Sequence, residues 1–243
     1  KFTTIRDASF VGLSNYVEAF KDNTFTHAFG FTAVFAVVTL VLINVLAFAI
    51  ALALTQKIKG TNIFRTIFFM PNLIGGIVLG YIWQLIFDGI FEKFDLALKL
   101  SAKLGFWGLV ILICWQQIGY MMIVYIAGLQ AIPGSLNEAA MIDGANKWAR
   151  FRNITIPMLS PTLFFVLINT IISSFQVFDQ AFVMTKGGPV KASYTLVYHI
   201  YQSAFVEFKM GRACAASMIL FVIILAITMV QMYGSKRWVN YEQ

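Results

Sequence analysis

His27 and His199 are the only histidines in this chain, and neither stands near a cluster of acids that could share a metal or a proton with it. No HExxH, CxxC or GxxxxGK[ST] pattern occurs, so metalloprotease chemistry, a dithiol centre and a P-loop for ATP all lack their residues. Cys114 and Cys214 lie in apolar runs without metal-like spacing and are expected to be small buried hydrophobes. His27 reads as a boundary residue, and His199, between Tyr198 and Tyr201, as an interfacial or contact residue. What remains is hydrogen-bonding chemistry. Gln116, Gln117 and Tyr120 sit inside an uncharged apolar run, and Gln116 and Tyr120 are one helical turn apart on one face. Thr170, Ser173 and Ser174 share a face by their spacing of three and four. Asn72 follows Pro71 in another apolar run. Such groups can line a path for a neutral, hydroxyl-rich solute. They can equally bond helix to helix, at typically ~0.6 kcal/mol per contact. Both readings stand at this level.

These residues are carried by long apolar elements. The chain has 243 residues, 59% hydrophobic and 12% charged, against roughly 25% charged in a soluble domain. Runs without charge extend from Ala28 to Gln56, Thr66 to Phe87, Leu104 to Asn137, Asn153 to Phe178 and Ala213 to Ser235. Each reaches the ~20 residues that cross about 30 Å of hydrocarbon. The expectation is an all-α polytopic membrane protein with five spans at about 28–55, 66–87, 104–130, 156–178 and 213–234. Helices are required because lipid offers backbone groups no partner, and strand alternation for a barrel is absent. The net charge of +7 falls in short segments flanking the spans, as membrane topology requires, and does not point to nucleic acid. The chain starts with Lys rather than Met, and a sixth span upstream is expected.

The second span is interrupted by Pro71-Asn72 and Gly75-Gly76, which should make it bend or start late. Broken helices in transporters often line the substrate path; the alternative is a tolerated kink with close glycine packing. No charge lies inside any run, and Asp179 is only at an edge. Proton- or sodium-coupled transport would be expected to place ionisable groups there, so the energy should come from another subunit. FVGLSNYVEAF (Phe10 to Phe20) is expected to form a short interfacial helix, and Ala192 to Val206 a helix at the outer interface, beyond the turn Lys186-Gly187-Gly188-Pro189.

The most polar stretch between two apolar runs is PGSLNEAAMIDGANKWARFRNITIP, Pro133 to Pro157. Ser135 and Glu138 have capping-box spacing, Gly144 is placed to end the helix in a left-handed conformation, and Lys147 to Arg152 is expected to form a second short helix. Lys57, Lys59 and Arg65 in one short loop, the Pro133 loop and Lys236-Arg237 after the last span put a dense positive charge on one side. That side should be cytoplasmic.

Glu138-Ala139-Ala140, three residues, Gly144, nine residues, Ile154, one residue and Ile156-Pro157 resembles the EAA motif of permease subunits of ATP-binding-cassette importers. Ile156 stands where the usual motif has Leu. Pro133, Asp143-Gly144-Ala145 and Trp148 make the string similar to the branch that imports sugars and glycerol-phosphate compounds, and FRTIFFMPNLIGGIVLGYIWQLIF resembles that branch's third span. GGPVKASYTLVYHIYQSAF and the Phe10 segment resemble its external segments.

The resemblance implies the type I importer permease fold over 1–243. The external segments would be 1–27 and 179–212, and the cytoplasmic coupling loop 133–157. It implies a bacterial cytoplasmic-membrane protein with its C-terminus inside. Its partners would be a homologous second permease, two cytoplasmic ATPase subunits that bind ATP and Mg, and an external solute-binding protein; the chain itself would hold no cofactor. Glu138, Ala139, Ala140, Asp143, Gly144 and Pro157 would form the ATPase-coupling site, with Leu136 and Met141 as further contacts. Gln116, Gln117, Tyr120, Thr170, Ser173, Ser174 and Asn72 would line the cavity, matching by position those that contact sugar in maltose permeases. The function implied is carbohydrate import by alternating access. Glycerol-3-phosphate or an acidic sugar, and an ATP-independent secondary transporter, are the alternatives.

Overall fold

A computed structural model describes residues 9–56, 59–94, 101–189 and 191–239. Parts of the N-terminal segment, of the Lys57 loop, of the stretch between Phe87 and Leu104 and of the C-terminus lie outside the described residues.

The described residues are helical, without strand. A short helix α1 (Ser14–Lys21) precedes α2 (Asn23–Leu54). Next come α3 (Thr61–Phe69), a 3-10 turn (Met70–Leu73) and α4 (Gly76–Phe91). Then α5 (Ala102–Ala131), α6 (Gly134–Ile142) and α7 (Lys147–Arg150) follow. A π turn (Phe151–Thr155) and a single turn, α8 (Ile156–Met158), lead into α9 (Ser160–Phe175), α10 (Asp179–Met184) and α11 (Leu196–Tyr201). A second π turn (Gln202–Val206) precedes α12 (Met210–Ser235). Among the described residues, four helical stretches (Asn23–Leu54, Ala102–Ala131, Ser160–Met184 across α9 and α10, and Met210–Ser235) are long and apolar enough to cross a membrane, or five if the broken α3–α4 pair is one span. The break comes where Pro and Gly demand it. Pro71 sits in the 3-10 turn, and Gly75, with φ −59° and ψ 140°, is extended before α4 starts.

The chain forms two compact units. The first comprises Lys1–Thr39, Ile74–Ile113 and Ile171–Ile227, the second Leu40–Leu73, Cys114–Thr170 and Thr228–Gln243. In the first, Phe25, Ala28 and Ala36 of α2 pack with Phe175, Leu196, Tyr198, Ala216 and Leu220. The start of α11 is tied to α2 by Thr32, whose buried hydroxyl accepts the Leu196 N–H at 2.9 Å. Thr195 caps the same helix by accepting from the Tyr198 N–H. Outside, Arg212 meets Glu18 at 2.6 Å; this pair is partly solvated and adds little stability. In the second unit the core is Ile43, Ala47 and Ala51 with Met121, Met122, Tyr125, Leu159 and Val166. The Tyr125 hydroxyl donates to Asn44 Oδ1 at 2.7 Å, and Asn44 Nδ2 donates to the Leu40 carbonyl at 2.8 Å, so this buried pair is satisfied.

Candidate functional site

Gln116, Gln117 and Tyr120 lie on α5, all half-buried. Gly119 stands among them for a reason of space. A Cβ there would overlap the Phe68 carbonyl and come within 2.8 Å of Phe69 Cα. The end of α3 therefore rests on α5 at Gly119, and the 3-10 turn that follows carries Asn72, also half-buried. Within the second unit, then, the turn with Asn72 and the glutamine-bearing stretch of α5 belong to one packed arrangement.

Thr170 and Ser174, expected to line the cavity, are held by hydrogen bonds within this chain. Both are fully buried. The Thr170 hydroxyl donates to the Val166 carbonyl at 2.7 Å and lies 3.5 Å from Asn44 Nδ2. The Ser174 hydroxyl lies 2.9 Å from that of Thr39. Both serve helix packing. Ser173, between them in sequence, is half-buried. Beside Tyr125 a cavity of ≈ 200 Å³ is bounded by Asn44, Val45, Phe48, Ile156, Leu159 and Leu163. Its two polar residues bond each other, so its walls suit hydrocarbon rather than sugar.

The Pro133–Pro157 loop folds as two short helices. Helix α6 buries none of its residues in this chain. Leu136, Met141 and Ile142 are exposed, Ile142 at 87%, as is Trp148 at 68%. Glu138, Ala139 and Asp143 are exposed, and Ala140 and Pro157 half-buried. The helix ends as expected. Gly144 has φ 78°, and the Ala145 N–H bonds the Ala140 carbonyl at 2.9 Å while the Gly144 N–H bonds that of Met141 at 3.1 Å. This is a Schellman ending. The start differs from the expected capping box. Pro133 is the N-cap, with no side-chain cap bond, so Ser135 already lies inside the helix. Glu138 is thus not engaged in capping. Helix α7 does have a cap, since Asn146 Oδ1 accepts the Ala149 N–H at 2.8 Å. The expected short helix ends at Arg150, and the π turn then brings the chain to Pro157.

Among the described residues no three His, Cys, Asp or Glu groups gather as metal ligands. His27 is exposed. His199 is buried, its ring near those of Phe25 and Tyr194, and burial lowers its pKa below the ordinary histidine value. Cys114 is buried as expected, but Cys214 is exposed. Helix α12 is apolar all round, so its sequence gives no sign of which side meets neighbours. The glycines mark close packing that the sequence also signals: Gly119 lies in the middle of the WQQIGYM stretch, and Gly76 and Gly80 are four apart. Ile142, two residues past the EAA triplet, is the most exposed apolar residue of α6.

Among the described residues, helices long and apolar enough to cross a membrane, one of them broken, and a polar loop whose α6 buries nothing in its own chain fit a multi-pass membrane protein. Residues 47–240 match the family model described as "Binding-protein-dependent transport system inner membrane component". The chain belongs to that family. It is 40% identical over 241 residues to the probable starch degradation products transport system permease protein AmyD of Thermoanaerobacterium thermosulfurigenes, covering 96% of this chain and 82% of that protein. It is 35% identical over 244 residues to the sn-glycerol-3-phosphate transport system permease protein UgpA of Agrobacterium fabrum, covering 96% and 83%. A chain of a bacterial ABC transporter involved in the import of the acidic polysaccharide alginate shares the fold, with a TM-score of 0.84 at 19% identity over 96% of this chain and 86% of that one.

Proposed function

We propose that this chain is one permease subunit of an ATP-driven importer that moves a carbohydrate, delivered by an external solute-binding protein, by alternating access. The observation that carries the proposal is helix α6. It is short, glycine-terminated and unburied, stands between two charge-free runs, and presents Leu136, Met141 and Ile142 beside the EAA triplet. A short helix with apolar anchors is a known way to fill a groove on another protein. The groove belongs to a cytoplasmic ATPase subunit, one of two that bind ATP and Mg. Glu138, Ala139, Ala140, Asp143, Gly144 and Pro157 form the coupling site. A homologous second permease completes the path. The loop and the C-terminus, with Lys236 and Arg237, face the cytoplasm.

Gln116, Gln117 and Tyr120, with Asn72 and Ser173, are the groups that hydrogen-bond the substrate, and the Tyr120 ring offers an apolar face to a sugar. A neutral sugar fits best because no span carries a charge in its apolar run. AmyD, named for starch degradation products, also favours it. The second reading, glycerol-3-phosphate, rests on the UgpA relatives. The discriminating experiment reconstitutes the complex and measures ATP hydrolysis stimulated by binding protein loaded with neutral oligosaccharides, uronic-acid oligosaccharides or glycerol-3-phosphate. Stimulation by a neutral oligosaccharide is expected; stimulation by the anionic ligands alone would overturn the neutral-sugar reading.

A further inference from the structure

Gly76 and Gly80 stand four residues apart at the start of α4, so they share a face, and α10 lies against it. A Cβ on Gly76 would stand 2.8 Å from Gln180 Nε2 and 2.9 Å from both Cβ and Oδ2 of Asp179. A Cβ on Gly80 would stand 3.0 Å from Val183 Cβ. Neither glycine has a left-handed backbone, so what each supplies is space. This spacing of small residues is how helices approach closely in a membrane. On the α10 side, Gln180, Ala181, Val183 and Met184 are buried. The Asp179 carboxylate thereby comes to the first turn of α4, whose N-cap Gly75 has no side chain to offer. Helix starts carry partial positive charge and favour a carboxylate.

The contact continues away from α4. Phe178 and Phe182, flanking and within α10, stand 5.2 and 5.4 Å from the Tyr201 ring of α11, centroid to centroid. All of these groups belong to the first unit.

We infer that Gly76, Gly80 and Asp179 are positioning residues that fasten α4 to α10, so that the outer arm of the broken span and the segment from Asp179 to Tyr201 move as one body during transport. The movement rests on the transport reading above; the fastening does not.

The test joins the two helices covalently. Gly80→Cys with Val183→Cys is made in a background carrying Cys114→Ala and Cys214→Ser, assembled with its partners in vesicles. Free-thiol labelling reads disulfide formation. ATP-dependent uptake is compared between oxidised and reduced samples. The disulfide should form once the helices give by a few tenths of an ångström, because the two Cβ positions stand 3.0 Å apart against about 3.5–4.5 Å in a disulfide, and the cysteine removes the branches of Val183. Uptake should stay within about twofold of the reduced sample, as expected for two groups that never part in the cycle. Failure of the disulfide to form, or a block on uptake that reductant reverses, would overturn the inference. If neither this protein nor the unsubstituted one takes up any ligand of the panel, the transport reading fails while the disulfide still reports the joint. Should the cysteine pair not assemble, Gly80→Ala alone and with Val183→Ala replaces it. The single change should lower uptake at least about threefold and the second should restore it; uptake unchanged by Gly80→Ala would contradict the joint.

Discussion

The hydroxyls of Thr39 and Ser174 lie 2.9 Å apart, both fully buried, and join α2 to α9. This contact gives Ser174 a role in packing α9 on α2. Ser174→Ala should therefore cost about 0.6 kcal/mol, the usual worth of an interhelical hydrogen bond in a membrane, and leave the order of preferred ligands unchanged. The check is a thermal melt of the detergent-purified complex beside the ligand-stimulated ATPase panel. A changed ligand order with an unchanged melt would place Ser174 on the path.

Gly119 holds the end of α3 against α5, where any Cβ would overlap the Phe68 carbonyl. A backbone atom cannot rotate aside, so Gly119→Ala should displace the turn bearing Asn72. The expected result is a protein that still inserts and binds the ATPase but loses most uptake. Normal uptake by Gly119→Ala would mean that the packing of α3 on α5 is unimportant for the path.

Two separable predictions concern the Pro133–Pro157 loop. Gly144→Val forces a branched residue to φ 78°, at roughly 1–2 kcal/mol, although open space surrounds the position. Copurification of the ATPase should fall, and Gly144→Asn should do less harm, because Asn tolerates the left-handed region. Glu138 does not cap α6, so Glu138→Gln should leave the loop's fold intact while weakening docking or uncoupling hydrolysis from transport. Full assembly and coupling in both Gly144→Val and Glu138→Gln would remove this loop from the mechanism.

His199 gives the segment around α11 a pH dependence. Burial lowers its pKa, and Asp22 and Glu207 oppose that shift while Lys191 adds to it. The folded state thus binds fewer protons than the unfolded chain near neutrality. Its stabilising contribution is complete above the unfolded value of about 6.5 and is lost as pH falls below it. Protection of 194–201 amides from hydrogen exchange, corrected for the intrinsic rate, should drop between about pH 7.5 and pH 5.5 in the native protein and drop less in His199→Gln. An identical pH profile in both proteins would contradict this role.

Much of this architecture was legible because lipid leaves few choices: charge-free runs had to be helices, and Pro71 with Gly75 had to break one. Gly144 was legible for the same reason, since few other residues accept its backbone. Spacing told less about what a face meets. Ser173 and Ser174 lie three and four residues from Thr170 whether they line a path or bond to α2, and the contacts with Asn44 and Thr39 appear only in the structure. The Ser135–Glu138 spacing also allowed a cap, but Pro133, with ψ 128°, is the N-cap, and Ser135 lies two residues past that position. The exposed side of α12 at Cys214 could not be read because every face of that helix is apolar.

The central claim is that the energy for transport enters through partner ATPases rather than through an ion gradient. The most direct measurement is uptake of an oligosaccharide into proteoliposomes holding the whole complex, with binding protein outside and either ATP or no nucleotide inside, under imposed proton and sodium gradients. The account predicts uptake only with internal ATP, unaffected by collapsing both gradients. Uptake without ATP that follows either gradient would contradict it.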